Sequence, residues 1–183
     1  MNLDDLKAIL SAFAEEETAN ADLYRLQAAD EPPEATGATV VFGKTDGRRF
    51  TEVHGLQGEL PANIRIEEEA VLGSSPENPD DWKALEGPDG ESLRVFSLLD
   101  PRTLGEQIQQ AEFVTAEAGE TLAVGHVDLA NLPGLPEQFV KWLKGDAFDR
   151  LVQMRFVDDQ LVETVQADFY PRLSDRIIAR YSK

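Results

Sequence analysis

Val152-Gln153-Met154-Arg155-Phe156-Val157-Asp158-Asp159-Gln160-Leu161-Val162-Glu163-Thr164-Val165-Gln166-Ala167-Asp168-Phe169 is the stretch whose reading decides the fold. Val152, Met154 and Phe156 alternate with Gln153 and Arg155, the period-two pattern of a strand that buries one face. Asp158-Asp159 supplies a tight turn. On the return, Leu161, Val165, Ala167 and Phe169 alternate, interrupted by Val162. The two runs predict an antiparallel hairpin, and Ile177–Tyr181 follows as a final strand.

Working outward from this hairpin, most of the chain reads the same way. Thr39-Val40-Val41-Phe42 is β-branched and aromatic, Lys44-Thr45-Asp46-Gly47 carries Asp-Gly turn chemistry, and Arg48–His54 returns. Asn63–Leu72 is a further strand, and Ser74–Asp81 reads as an acidic, proline-bearing loop. Trp82–Leu85 and Ser92–Leu98 flank Gly87-Pro88-Asp89-Gly90, a turn signal. Glu112–Ala116 and Thr121–Leu129 pair around Gly119.

Helices are few and short. Leu3, Leu6, Ile9, Leu10 and Phe13 fall at helical spacing, so an amphipathic helix is expected over about 3–17. Asp22–Leu26 either extends it or starts a strand. Asp100-Pro101 opens a second helix, expected to reach about Gln110, because Asp caps free N–H groups and Pro fits the first turn. A third short helix after Leu135-Pro136 carries Phe139, Val140, Trp142 and Leu143. No fixed-period repeat and no interior linker divides the 183 residues. The expectation is one α+β domain over 1–183: a curved, mainly antiparallel, half-barrel-like sheet covered by a few short helices.

Composition narrows the function. Thirty-five acids against 17 bases give a net charge of −18. Such a surface repels nucleic-acid phosphates and anionic membranes, and attracts basic partners. No apolar run approaches the ~18 residues of a spanning helix, so stable membrane insertion is not expected. With no cysteine, disulfides, thiolate metal sites and cysteine nucleophiles are excluded.

The residues of chemistry are scattered. His54 and His126 stand far apart, and the acidic runs at Glu67–Glu69, Asp80-Asp81 and Asp158-Asp159 lack calcium-loop spacing. Gly73-Ser74-Ser75-Pro76 is no nucleophile elbow, and phosphate-loop and dinucleotide glycine patterns are missing. The chain therefore reads as a binding protein rather than an enzyme, with no catalytic residue, metal or cofactor.

One family orders these pieces. Ser97-Leu98-Leu99-Asp100-Pro101 with its helix is followed by Ala118-Gly119-Glu120-Thr121-Leu122 and Val127-Asp128-Leu129-Ala130-Asn131-Leu132. Next come Met154–Val162 with its acidic turn and Ile177–Ser182; upstream stands Asp81-Trp82-Lys83-Ala84-Leu85. Over roughly half the chain this order resembles the LprG/LppX-type lipoproteins of actinobacteria, LolA-like half-barrels that carry lipids. The chain shows neither their lipid-bearing cysteine nor an export signal. It reads as cytoplasmic as it stands, and as a cell-envelope protein where an export signal has been removed.

The resemblance implies a noncatalytic carrier of an apolar small molecule or lipid, and transfers no catalytic residue. Phe139, Trp142, Val152, Met154, Phe156, Val165 and Phe169 are the expected lining of its cavity; the same apolar stripe would also serve as plain core. The charge supports a different reading, an acidic inhibitor that occludes a basic partner protein, as an immunity protein or DNA mimic does.

Overall fold

The alternation around Met154 belongs to a single sheet that takes in nearly every strand-like segment of the sequence. A computed structural model describes residues 1–15, 17–27, 30–58, 61–115, 119–129, 132–138, 149–167 and 176–182. Helix α1 (Leu3–Ser11) leads into six strands: β1 (Ala19–Leu26), β2 (Glu34–Thr45), β3 (Arg48–His54), β4 (Asn63–Glu67), β5 (Val71–Ser75) and β6 (Asn78–Ala84). A helical segment follows, made of α2 (Gly87–Ser92), a 3-10 helix (Leu93–Leu99) and α3 (Pro101–Gln107). Five strands complete the described elements: β7 (Ile108–Thr115), β8 (Glu120–Asp128), β9 (Asp149–Val157), β10 (Gln160–Ala167) and β11 (Arg176–Ser182).

The sheet order is β6-β5-β4-β3-β2-β1-β11-β10-β9-β8-β7, antiparallel between neighbours. Its two ends, β6 and β7, do not pair with each other, so the barrel stays open. Flat, eleven strands would span about 50 Å at ~4.8 Å per strand. A single core cluster nevertheless joins Val71 on β5 to Ile108 on β7. Only a curved sheet brings such distant strands around one core. The chain passes from β6 at one edge to β7 at the other through Gly87–Gln107, so this helical segment must cross the concave face.

The inner face is apolar because the alternation holds across strands. Ala19, Ala21 and Leu23 on β1, Val40 and Phe42 on β2, Ala123 and Val127 on β8, and Val152, Met154 and Phe156 on β9 are all buried. Helix α1 adds Leu6 and Leu10, both inaccessible. It starts with a capping box between Asn2 and Asp5 and packs on α3, where Gly105 leaves room for Leu10: a Cβ there would lie 3.0 Å from the Leu10 Cβ. Phe13, Phe42 and Tyr181 stack edge-on and tilted at 5.3–5.9 Å between centroids.

Several boundaries differ from expectation, each for a physical reason. Helix α1 stops at Ser11 rather than near 17, and β1 begins at Ala19. Glu15 would be unfavourable at the negative end of a longer helix; instead it pairs with Lys44 and Arg49 of the β2–β3 hairpin. Helix α3 ends at Gln107 because Ile108 buries as the first residue of β7. Ser74–Asp81 is a hairpin between β5 and β6, not a loop, and Asn63–Leu72 divides into β4 and β5. Gly87-Pro88-Asp89-Gly90 opens α2, with Pro88 in the first turn where its missing N–H costs nothing. At Asp158 and Asp159 the backbone is left-handed, φ 51° and 60°, as a tight β9–β10 turn requires.

Candidate ligand-binding concavity

What holds the crossing segment against the sheet is a buried polar anchor. Asp100 is the N-cap of α3, accepting from the Arg102 N–H at 2.9 Å. The Arg102 guanidinium is inaccessible and bonds Asp100 at 2.7 Å through Nη2. It also donates to the carbonyls of Gly43 (3.1 Å) and Phe50 (3.2 Å), and the Thr51 hydroxyl donates to Asp100 at 2.9 Å. A buried charge pair is tolerated only when its remaining donors and acceptors are satisfied, and here β2 and β3 supply the partners. On the opposite side Tyr181 of β11 donates to the Leu99 carbonyl at 2.9 Å, and Gln166 of β10 to that of Leu98 at 3.1 Å. Burial, the largest effect, and then the nearby Asp100 charge push the Tyr181 phenol well above its usual pKa; the hydrogen bond with Thr164 works the other way.

The anchor fixes one end of the crossing segment; beside its other end the layers part. A concavity of about 1130 Å³ lies between the inner face of β1, β2 and β11, the loop after β3, and the α2–3-10 segment. Apolar side chains form its walls: Leu23, Ala38, Leu93, Phe96 and Ile177 are buried, and Leu56 and Leu85 half-buried. β2 contributes the small residues Ala35, Thr36 and Ala38 to the lining, and the crossing segment contributes Leu93 and Phe96. Thr36 adds no free donor, since its hydroxyl bonds the Leu23 carbonyl at 2.8 Å. Gly90 allows α2 to close down on Leu85, whose carbonyl oxygen would lie 2.2 Å from a Cβ at that position. Glu34, Glu86 and Asp89 stand exposed at the rim.

The residues expected from sequence to line a cavity are distributed differently. Val152, Met154 and Phe156 sit together on the inner face of β9, fully buried in the core. Val165 is half-buried on the outer face, across from Ile178. A register shift between Leu161 and Glu163 turns the strand over at Val162, so Thr164 and Gln166 point inward instead. Phe139, Trp142 and Phe169 lie outside the described residues. None of the four described ones is among the residues lining the concavity. Its lining was missed because it comes from β1, β2 and the helical segment, and small residues such as Ala35 and Ala38 carry no motif.

Trp82, on β6, is half-buried with its ring 6.1 Å from that of His54, edge to face. His54 Nε2 lies 2.8 Å from Glu52 on the same strand, and Arg65 joins Glu52 to Glu67 at 2.6 Å each. These groups form a polar ladder along β3 and β4. Among the described residues no group of three or more His, Asp or Glu could hold a metal ion, and no helix is long and apolar enough to cross a membrane.

Sheet, crossing segment and concavity together define an α+β protein built on an open, curved, antiparallel sheet of eleven strands with a helical segment across its concave face. No protein-family model and no curated protein matches the chain. Among solved structures it is similar to LprF from Mycobacterium bovis, with a TM-score of 0.41 at 10% identity over 98% of this chain and 92% of that one. The LolA superfamily protein NE2245 from Nitrosomonas europaea gives 0.39 at 9% identity over 99% and 90%. MucB gives 0.44 at 9% identity; 98% of this chain is covered but only 58% of MucB.

Proposed function

We propose that this protein is a noncatalytic carrier that holds an apolar, lipid-like ligand in the concavity between β1, β2, β11 and the α2–3-10 segment. The observation that carries the reading is the concavity itself. Its 1130 Å³ matches or exceeds the ~300–1,000 Å³ of ordinary small-molecule sites, and Leu, Phe, Ile and Ala side chains line it together with polar residues such as Arg25, Glu34 and Glu86. A half-open cleft of this size beside a filled core offers room for a guest. The filled core around Met154 supplies rigidity, and the Asp100–Arg102 anchor keeps the crossing segment from collapsing into the space.

The test is displacement of a polarity-sensitive apolar dye by a neutral long-chain alcohol. Wild-type protein is expected to brighten the dye, and the alcohol to reverse the effect. Ala38→Trp puts an indole into the space from the inner face of β2, and dye binding should fall at least tenfold while circular dichroism stays that of wild type. Equal dye binding by wild type and a folded Ala38→Trp would remove the concavity from the account.

A further inference from the structure

The two edges of the sheet are guarded unequally. Alternate residues of an edge strand turn their N–H and C=O groups away from the sheet, a ready template for another strand. β6 is protected: Asn78-Pro79-Asp80-Asp81-Trp82-Lys83-Ala84 carries a proline and three charges, and its pairing with β5 is irregular. β7 has no proline, no lysine and a single charge, Glu112. From Gln110 to Thr115 its pairing with β8 is regular, and no described strand covers its other side. Apolar surface collects at the same place. Val114 is 61% exposed and its cross-strand partner Leu122 41%; with Leu151 of β9 they are three of the four exposed large hydrophobics among the described residues, the other being Met1. The charge is one-sided as well. From Ile108 to Asp128 the sequence holds Glu112, Glu117, Glu120 and Asp128 and none of the chain's 17 lysines and arginines.

We propose that the β7 edge receives an extended basic segment of a partner protein, added as a further strand in which lysine or arginine alternates with apolar residues. The faces of β7 set that alternation. Ala111 and Phe113 pack against the core, opposite Gly125 and Ala123 of β8, so side chains of the added strand on this side are apolar. Gln110, Glu112 and Val114 are exposed on the outer side, where a basic head meets Glu112 and its aliphatic stem covers Val114 and Leu122. Main-chain hydrogen bonds supply the affinity and this alternation the specificity. A second copy of this chain is the poorer occupant, because it would bring another −18 and its own Glu112 to the same edge. The edge is separate from the concavity, whose lining includes no residue of β7 or β8.

The probe is a capped hexapeptide of alternating lysine and valine, titrated calorimetrically at low salt while the exchange of β7 amides is followed by NMR. The peptide is expected to slow exchange at alternate amides between Gln110 and Thr115, and to bind more weakly as salt is raised. Glu112→Lys, at an exposed position, should weaken binding about fivefold or more. Asp80→Lys makes the same charge change on the β6 edge and should leave binding within about twofold of wild type. Val114→Lys, which places a guarding lysine on the open edge, should act like Glu112→Lys, with circular dichroism checking that each variant is folded. Unchanged β7 exchange in the presence of the peptide would overturn the inference. So would equal losses in Glu112→Lys and Asp80→Lys, because binding would then belong to the negative surface as a whole. A concentration-dependent dimer of the chain alone that Val114→Lys abolishes would give the edge to a second copy, and would overturn it too.

Discussion

Replacing Arg102 by Met tests whether the crossing segment is held as described. The side chain is wholly inaccessible, and it satisfies Asp100, the Gly43 carbonyl and the Phe50 carbonyl. Met fills much of the volume but leaves the 3%-exposed Asp100 carboxylate with only the Thr51 hydroxyl and the Arg102 backbone N–H. Breaking one partner out of a buried pair costs about 3–5 kcal/mol, most of it the penalty of an uncompensated charge. Arg102→Met should therefore lose about 3–5 kcal/mol in urea unfolding, seen as a lower midpoint at unchanged slope. The double variant Asp100→Asn/Arg102→Met removes the stranded charge and keeps a side-chain cap, so about 1–3 kcal/mol should return. A single variant within 1 kcal/mol of wild type, or a double variant no better than the single, would refute the reasoning.

Other perturbations have defined signs. Tyr181→Phe removes the hydrogen bonds to Leu99 and Thr164 and should cost about 1–2 kcal/mol at pH 7. Because burial raises the Tyr181 pKa above the ~10 of the unfolded chain, its contribution is complete below about pH 10 and is lost as pH climbs further; alkaline unfolding followed by circular dichroism should be flatter in the variant. Glu15→Gln should cost about 0.5–1 kcal/mol at pH 7 by thermal melting. The Lys44 hydrogen bond, the largest effect, and then the Arg49 charge hold the Glu15 carboxyl below its ordinary pKa against the effect of burial. That contribution is present above the unfolded value of ~4.3 and disappears as pH falls through the lower folded value, so the two melting curves should converge in acid. Asp159→Gly relieves a left-handed residue in the β9–β10 turn and should raise stability by about 0.5–1 kcal/mol in the same assay.

The sheet was legible where one strand face buries and the other does not, as at Val152–Phe156, and where turn chemistry is explicit, as at Asp46-Gly47 and Asp158-Asp159. It was illegible where tertiary partners reverse a local rule. Thr164 and Gln166 look solvent-facing, yet they point inward because Tyr181 and the Leu98 carbonyl satisfy them. Arg102 looks like a surface charge on a short helix and is the largest fully buried side chain among the described residues. The exposed acids of Asn78–Asp81 read as loop, but an edge strand with both faces near water needs no apolar alternation. The concavity was beyond reach, since it is set by where small β2 residues meet a helical segment distant in sequence.

The most direct test of the carrier account is native mass spectrometry of the protein with a neutral hexadecyl alcohol, run beside Ala38→Trp. The account predicts a saturable one-to-one complex for wild type and its loss in the variant. No complex in wild type, together with tight, salt-sensitive binding of a basic protein, would contradict it and leave the acidic inhibitor as the function of the −18 surface.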